Sequence, residues 1–481
     1  MRGSVYSIAA SLITWTSGAV RLVLLTRFLL PADVGVFTQA MVFVVLAARI
    51  YNFGLNVAVV HRQDEAGNLL PTYFSLRLIL MTISLGGLAL LTPWIGSWYN
   101  DMPLLAAVML ALIAAEVLNG LNDVQLVIMD RRLAFRRGAA ADVISSLAMT
   151  LVAPLMAWQG LGVWALVGEQ ASGFIARSLV VWTGGQHWRA QVGWQSDTAR
   201  WLIRYSGTVW FGGNLTYVLD RFDDFWIGQA LGATQLGFYA RAYEFARYSR
   251  RVVANPILGV FFPTYARLQQ DRARLSRAFF RATSLMIRSG GLFSLVFVLT
   301  APEFIPLILG KQWLPMLTAF QLMIVYTFLD PIALSAIHLL TATGHPQQVL
   351  RIRAIQTAFF IPAVIIASQH WGIEGVAIVA DLMMLLGTLF LFGATRYIVD
   401  YSQTRLWLWP LVAVIGVGAV TLALTPLWRS LSPWAAWLGK GLLITGMYVG
   451  ILWLTERKQI RSAWQMVWGA LPPRLQQLRS R

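Results

Sequence analysis

The sequence predicts an all-α integral membrane protein, and three observations carry that prediction. Hydrophobic residues make up 57% of the 481-residue chain and charged residues only 12%, about half the share of an ordinary soluble protein. Apolar runs of about 20 residues, enough to cross roughly 30 Å of hydrocarbon as helix, recur almost end to end. Basic residues gather in alternate loops between the runs, as the positive-inside rule requires of a multi-pass protein. No polar segment is large enough for a soluble domain. The chain has no cysteine, which excludes disulfides, thiolate metal sites and cysteine nucleophiles. Its formal net charge of +17 would suggest nucleic acid in a soluble chain. Here the loop placement accounts for it, and no nucleic-acid partner is expected.

About fourteen transmembrane helices are expected, over about residues 5–26, 36–60, 76–97, 104–129, 139–157, 161–183, 201–228, 237–262, 283–301, 316–341, 352–369, 372–395, 406–426 and 435–455. The first follows only Met1 and Arg2 and carries Arg21. A cleaved signal peptide is the competing reading there, but cleavage would remove Arg21 and break the even count. The loops "DRRLAFRR" (130–137), "HWRAQVGWQSDTAR" (187–200) and "RLQQDRARLSR" (267–277) are basic, whereas the opposite set holds only Arg27, Lys311 and Arg429, and "QALGATQL" (229–236) is uncharged. Both termini should therefore be cytoplasmic. The tail after residue 456 is basic, with Trp464, Val467, Trp468 and Leu471 at helical spacing, and should lie on the inner membrane surface.

The chain echoes itself. "LPADVGVF" (30–37) resembles "GATQLGFY" (232–239) 202 residues later, and "WQGLGVWALV" (158–167) resembles "HWGIEGVAIV" (370–379) at a similar offset. The echoes suggest two six-helix lobes, 1–200 and 201–400, followed by two further helices in 401–457 and the amphipathic tail 458–481. An offset of six helices makes the repeats parallel, an arrangement in which transporters place substrate at the repeat interface.

The order "DRFDDFWIGQALGATQLGFYARAYEFARYSRRVVANP" then "FFPTYARLQ", with "LTRFLLPADVGVF", "NFGLNVAVVHRQ", "LGKQWLPM" and "DRRLAFRR", closely resembles the Wzx-type oligosaccharide flippases of the multidrug/oligosaccharidyl-lipid/polysaccharide exporter superfamily. The resemblance covers roughly residues 5–400. It implies a central cavity between the lobes and alternating access, with polyprenyl-pyrophosphate-linked (undecaprenyl) oligosaccharide moved outward across the bacterial inner membrane. It also implies membrane lipids as surroundings and a polysaccharide polymerase and export machinery as partners.

Charges inside the apolar runs locate a candidate site. A charge near the bilayer centre costs about 2.5–3.5 kcal/mol, so Asp220, Arg221, Asp223 and Asp224 of the seventh run must face protein or water. The eighth run returns with Arg241, Glu244, Arg247, Arg250 and Arg251. Folding the hairpin about its loop puts Asp224 level with Arg241 and Asp220 near Glu244, and the spacing of Arg241, Glu244, Tyr248 and Arg251 gives them one face. Two readings stand. The groups form a buried ion-pair network that holds helices together, or the excess arginines bind pyrophosphate, whose oxygens a guanidinium matches in bidentate fashion. In the second reading Arg49, Arg241, Arg247 and Arg251 are the cradle and Asp220, Asp223, Asp224 and Glu244 position them. Asp220 or Asp223 would exchange a proton or a sodium ion, since closely spaced carboxylates resist full ionisation. Under the 202-residue offset Arg49 meets Arg251 and Arg21 meets Asp223. Arg21 is a further candidate ligand, with snorkelling or pairing to a neighbouring helix as its alternative.

Glu116, Asp123, Asp142, Glu169, Arg177, Asp330, His338 and Asp381 are expected mainly to lock helices together. Pro256, Pro306, Pro331 and Pro362 could mark bends, and the 21 tryptophans are expected as interfacial anchors. An enzyme is disfavoured: the five histidines show no zinc spacing, "GVGAVT" at Gly416 lies in an apolar run with no strand before it, and the outer loops are too short to build a catalytic site. No cofactor is expected. A multidrug exporter would prefer an acidic, aromatic cavity, whereas arginine outnumbers carboxylate along the first, second and eighth runs.

Overall fold

The computed structural model describes residues 2–62, 69–132, 134–183 and 188–470, which are helical almost throughout and contain no strand. A helix satisfies its own backbone hydrogen bonds, and inside hydrocarbon no water is available to do so. Among the described residues nine helices are long and apolar enough to cross a membrane. Four expected spans fall on helices that this count leaves out, within Arg2–Phe28, Val163–Trp182, Ser196–Ala230 and Ala233–Leu268. Two more, 352–369 and 372–395, lie on either side of a kink at Gly372 within Pro346–Thr395. The side chains of Trp464, Val467, Trp468 and Pro256, and Leu471 as a whole, lie outside those described.

The chain divides into two compact units, Met1–Ala240 with Ile308–Gln312, and Arg241–Leu307 with Trp313–Arg481. The first contains α1 (Arg2–Phe28), α2 (Pro31–Asn52), α3 (Leu55–His61), α4 (Leu69–Met81), α5 (Gly87–Ser97), α6 (Leu105–Arg131), α7 (Phe135–Trp158), α8 (Val163–Trp182) and α9 (Ser196–Ala230). Helix α10 (Ala233–Ala246) begins there and runs on into the second unit. The second unit continues with α11 (Asn255–Leu268), α12 (Arg272–Leu299), α13 (Ala301–Phe304), α14 (Leu317–Leu322), α15 (Ile324–Ala342), α16 (Pro346–Thr395), α17 (Gln403–Ala423), α18 (Thr425–Ser430) and α19 (Pro433–Ala470).

The expected spans are interrupted where the backbone departs from α geometry. The run expected over 36–60 breaks at Phe53 and Gly54, both in the left-handed region (φ 40° and 74°). Wider π turns interrupt 82–86 and 250–254. Helix α16 continues through Pro362 and breaks instead at Gly372 (φ 56°, ψ −140°), a conformation open to glycine alone. Gly162, in the other copy of that echo, takes nearly the same shape (φ 54°, ψ −130°) just before α8.

The first echo becomes a contact. A Cβ on Gly35 of α2 would stand 2.6 Å from the carbonyl carbon of Ala233 and closer to its oxygen, and a Cβ on Gly237 of α10 would meet the carbonyl of Pro31 at the same distance. Positions 31 and 233, and 35 and 237, thus exchange places across the seam, as a local two-fold would arrange them. Only glycine lets two helix starts approach this closely. Asp33 joins α8 to the same end: its carboxylate accepts from the backbone N–H of Leu30 (3.1 Å) and of Val163 (3.1 Å).

Candidate functional site

In the first unit, α9 buries the charges that the sequence singled out. Asp223 and Asp224 are 1% and 2% exposed. Asp223 accepts from the Tyr239 hydroxyl at 2.6 Å and from the Asp224 backbone N–H at 3.0 Å. Asp224 accepts from Arg221 at 2.7 Å within the same helix, and Asp220 is half-buried. Buried carboxylates persist only when bonded this way, because an unpaired buried charge is far costlier. Tyr239 had no signal in the sequence beyond its place in the echo.

Arg49 sits beside the same helix. Its guanidinium lies over the Tyr217 ring, 4.7 Å from the centroid, a cation–π contact. Its carbonyl accepts from Trp210 Nε1 at 2.8 Å, and the Tyr217 hydroxyl donates to the carbonyl of Val42 at 2.6 Å. Arg21 belongs to a different set of contacts, where α1, α7 and α8 meet. Its Nε lies 2.8 Å from Glu169, and its Nη1 donates to the Ser146 carbonyl and the Thr150 hydroxyl at 3.3 Å.

In the second unit, Glu244 stands between two arginines, bonded to Arg241 at 2.7 Å and 3.9 Å from Arg251. Arg251 lies over Tyr248 and Arg247 over Tyr243. The Tyr243 hydroxyl in turn meets that of Tyr326 at 2.9 Å. Arg250, next along the chain, is taken up by buried Asp330 through two contacts, Nε to Oδ2 at 2.6 Å and a second from Nη2. Besides Arg250, which is bonded to Asp330, the stretch 241–251 itself contains three arginines and one glutamate.

Several other charged groups in the apolar runs find partners within their own unit. Arg77, 1% exposed, donates to Asp123 (2.9 Å), Asn56 (2.9 Å) and the Gly120 carbonyl (2.9 Å). Tyr51 donates to Glu116 at 2.6 Å, and Arg177 meets Asp142 at 3.2 Å. Asp381 caps the start of α15 by accepting from the Tyr326 N–H at 2.7 Å. His338 packs its ring edge-on against Phe262. Arg288 grips Glu456 at 2.8 and 2.6 Å, and Lys440 meets Glu303 at 2.7 Å. Sequence reasoning missed Arg77, Arg288 and Lys440, each the kind of lone cation in an apolar run that required a buried partner. Among the described residues, no three His, Asp or Glu side chains converge as a metal site.

Residues 24–318 match the family of polysaccharide biosynthesis proteins. The chain is 24% identical over 413 residues to the lipopolysaccharide biosynthesis protein WzxC of Escherichia coli (strain K12), covering 85% of this chain and 83% of that one. It is 26% identical over 294 residues to the succinoglycan biosynthesis transport protein ExoT of Rhizobium meliloti (strain 1021), covering 60% and 58%. Among solved structures, it superposes on the lipid II flippase MurJ in an inward closed conformation with a TM-score of 0.76 at 12% identity, covering 94% of this chain and all of that one. An inward-facing multidrug resistance MATE transporter of the MOP superfamily gives 0.64 at 15% identity, covering 82% and 97%. At those identities the likeness is one of fold.

Proposed function

We infer that this chain, which belongs to the polysaccharide biosynthesis protein family, is a flippase that moves undecaprenyl-pyrophosphate-linked oligosaccharide from the inner to the outer leaflet of the bacterial inner membrane by alternating access. It would serve exopolysaccharide, capsule or O-antigen assembly, as transport rather than catalysis. The observation that carries the reading is the three-to-one excess of arginine over carboxylate along 241–251. A pyrophosphate presents oxygens that guanidinium groups match in bidentate fashion, and arginine keeps its charge whatever the local polarity. A drug cation would be repelled by the same stretch.

In this reading Arg241, Arg247 and Arg251 of the second half and Arg49 of the first form the cradle, with Glu244 holding two of the arginines apart. Arg21, engaged by Glu169, contributes by fixing its helix junction. The lobes 1–200 and 201–400 alternate, the helices of 401–457 are appended, and both termini face the cytoplasm. Asp220, Asp223 and Asp224 position the first-half cations, and proton or sodium exchange at Asp223 would have to break its bond from Tyr239. A polymerase and export machinery would receive the product.

The test uses purified protein in liposomes containing a polyprenyl-pyrophosphate oligosaccharide, scoring glycan exposure with and without a pH or sodium gradient. A charged hydrogen bond is worth about 1.5–3 kcal/mol, so Arg247→Ala or Arg251→Ala should slow exposure at least about tenfold. Wild-type rates in both variants would refute the cradle. No exposure above empty liposomes, across several glycans, would refute the flippase.

A further inference from the structure

At the end of α17 and α19 that carries the basic tail, a cavity of about 460 Å³ opens between the first turns of α17 and residues 454–457 of α19. Arg405 and Arg457 line it, together with Leu408, Trp409 and Leu454. Both arginines are exposed and neither has an acidic partner among the described residues. The one carboxylate in the lining, Glu456, is withdrawn: its two oxygens are gripped by Arg288 of α12 in the buried interior. The withdrawal coincides with a break in α19, where Glu456 leaves helical geometry (φ −136°, ψ 36°). Below the arginines the wall is apolar, with Leu408 47% and Leu454 72% exposed.

We propose that this cavity binds the headgroup of an anionic phospholipid, with its phosphate between Arg405 and Arg457 and its acyl chains along Leu408, Trp409 and Leu454. Two cations with no acidic partner among the described residues, at the end of an exposed apolar wall, are complementary to a molecule with a phosphate at one end and hydrocarbon below it. Each juxtamembrane cation adds electrostatic attraction to anionic lipid, and Trp409 suits the interfacial depth between the two parts. The Arg288–Glu456 tie matters twice: it holds the break that shapes the cavity, and it keeps the local charge at two cations rather than one. The site stands apart from the 241–251 arginines and does not depend on what the protein transports.

The test is native mass spectrometry of the full-length protein in detergent, titrated with phosphatidylglycerol or phosphatidylcholine. Wild type should retain a phosphatidylglycerol adduct in preference to phosphatidylcholine, and Arg405→Gln/Arg457→Gln should weaken that adduct by about tenfold or more. Arg429→Gln, which removes one cation elsewhere in the same unit, should leave it intact, and Arg405→Lys/Arg457→Lys should restore most of it. Size exclusion and thermal unfolding check that the double variant is folded. Equal retention of the two lipids, or equal loss in Arg429→Gln, would overturn the proposal. Displacement of phosphatidylglycerol by an equimolar polyprenyl pyrophosphate would also overturn it, by assigning the site to a pyrophosphate-bearing lipid instead.

Discussion

Replacing Gly35 with alanine tests the seam between α2 and α10. The added methyl would lie 2.6 Å from the Ala233 carbonyl carbon, whereas ordinary contact begins at 3.4 Å, so the helix starts must part by at least about 0.8 Å. Overpacking of this kind costs about 1–3 kcal/mol. Against it stands a helix-propensity gain of up to about 1 kcal/mol for alanine over glycine, leaving a net loss on the order of 1–2 kcal/mol. Gly237→Ala meets the reciprocal carbonyl at the same distance and should cost as much. Because one separation relieves both clashes, the double variant should cost less than the sum of the singles. Unfolding of the purified variants in detergent measures these losses. The cysteine-free chain permits a second readout: a cysteine placed at Val36, buried in the same apolar cluster as Ala233, should react faster with aqueous maleimide in the Gly237→Ala background. If Gly35→Ala were neutral or stabilising and the maleimide rate unchanged, propensity alone would be acting and the close crossing would be refuted.

Two further outcomes follow from the ion pairs. Arg77→Ala strips Asp123 of its cation and leaves Asn56 and the Gly120 carbonyl unfilled; the loss, measured by unfolding in detergent, should be about 3 kcal/mol, and a loss below about 1 kcal/mol would show that water reaches the site. At the start of α12, Arg272 grips exposed Asp400 through two bonds, 2.7 and 2.8 Å, and holds its carboxyl below the usual carboxylate range. A carboxyl whose folded value is depressed stabilises the fold above its unfolded value of about 3.9, and that contribution is lost as pH falls through the lower folded value. Amide protection over 397–402 should therefore decline on acidification below about pH 4, and should be low at every pH in Asp400→Asn; pH-independent protection would remove the tie from the account.

Much of this architecture could be read from the chain. The apolar runs led to the helices because burial in hydrocarbon permits few alternatives. The i, i+3 spacing of Arg221 and Asp224, and of Arg241 and Glu244, brought each pair together inside its own helix, since such neighbours meet whatever packs outside. The echo at 31–35 and 233–237 proved to be a contact as well as a likeness. Long-range pairing was illegible: nothing in the sequence couples Arg77 to Asp123 or Arg250 to Asp330, because that choice is made by packing. The π turns could not be anticipated, since a π turn adds a residue without a compositional mark, whereas the break at Gly372 falls at the boundary expected between 352–369 and 372–395, and Pro362 leaves its helix unbroken.

The grip of Arg288 on Glu456 also bears on how the protein is made. The two residues are 168 apart in the chain, and at about 5–20 residues per second the ribosome would need roughly 10–30 s to deliver the second after the first. Throughout that interval the Arg288 guanidinium of α12 would lack the Glu456 carboxylate, and a charge that enters hydrocarbon costs about 2.5–3.5 kcal/mol. The nascent helix therefore gains by waiting at a hydrated edge of the insertion machinery. Chains cut short before residue 456 would carry every earlier helix and still leave Arg288 without the Glu456 carboxylate, a ready mark for membrane proteases. Arrival of α19 would then be the chemical event that gives Arg288 its Glu456 partner.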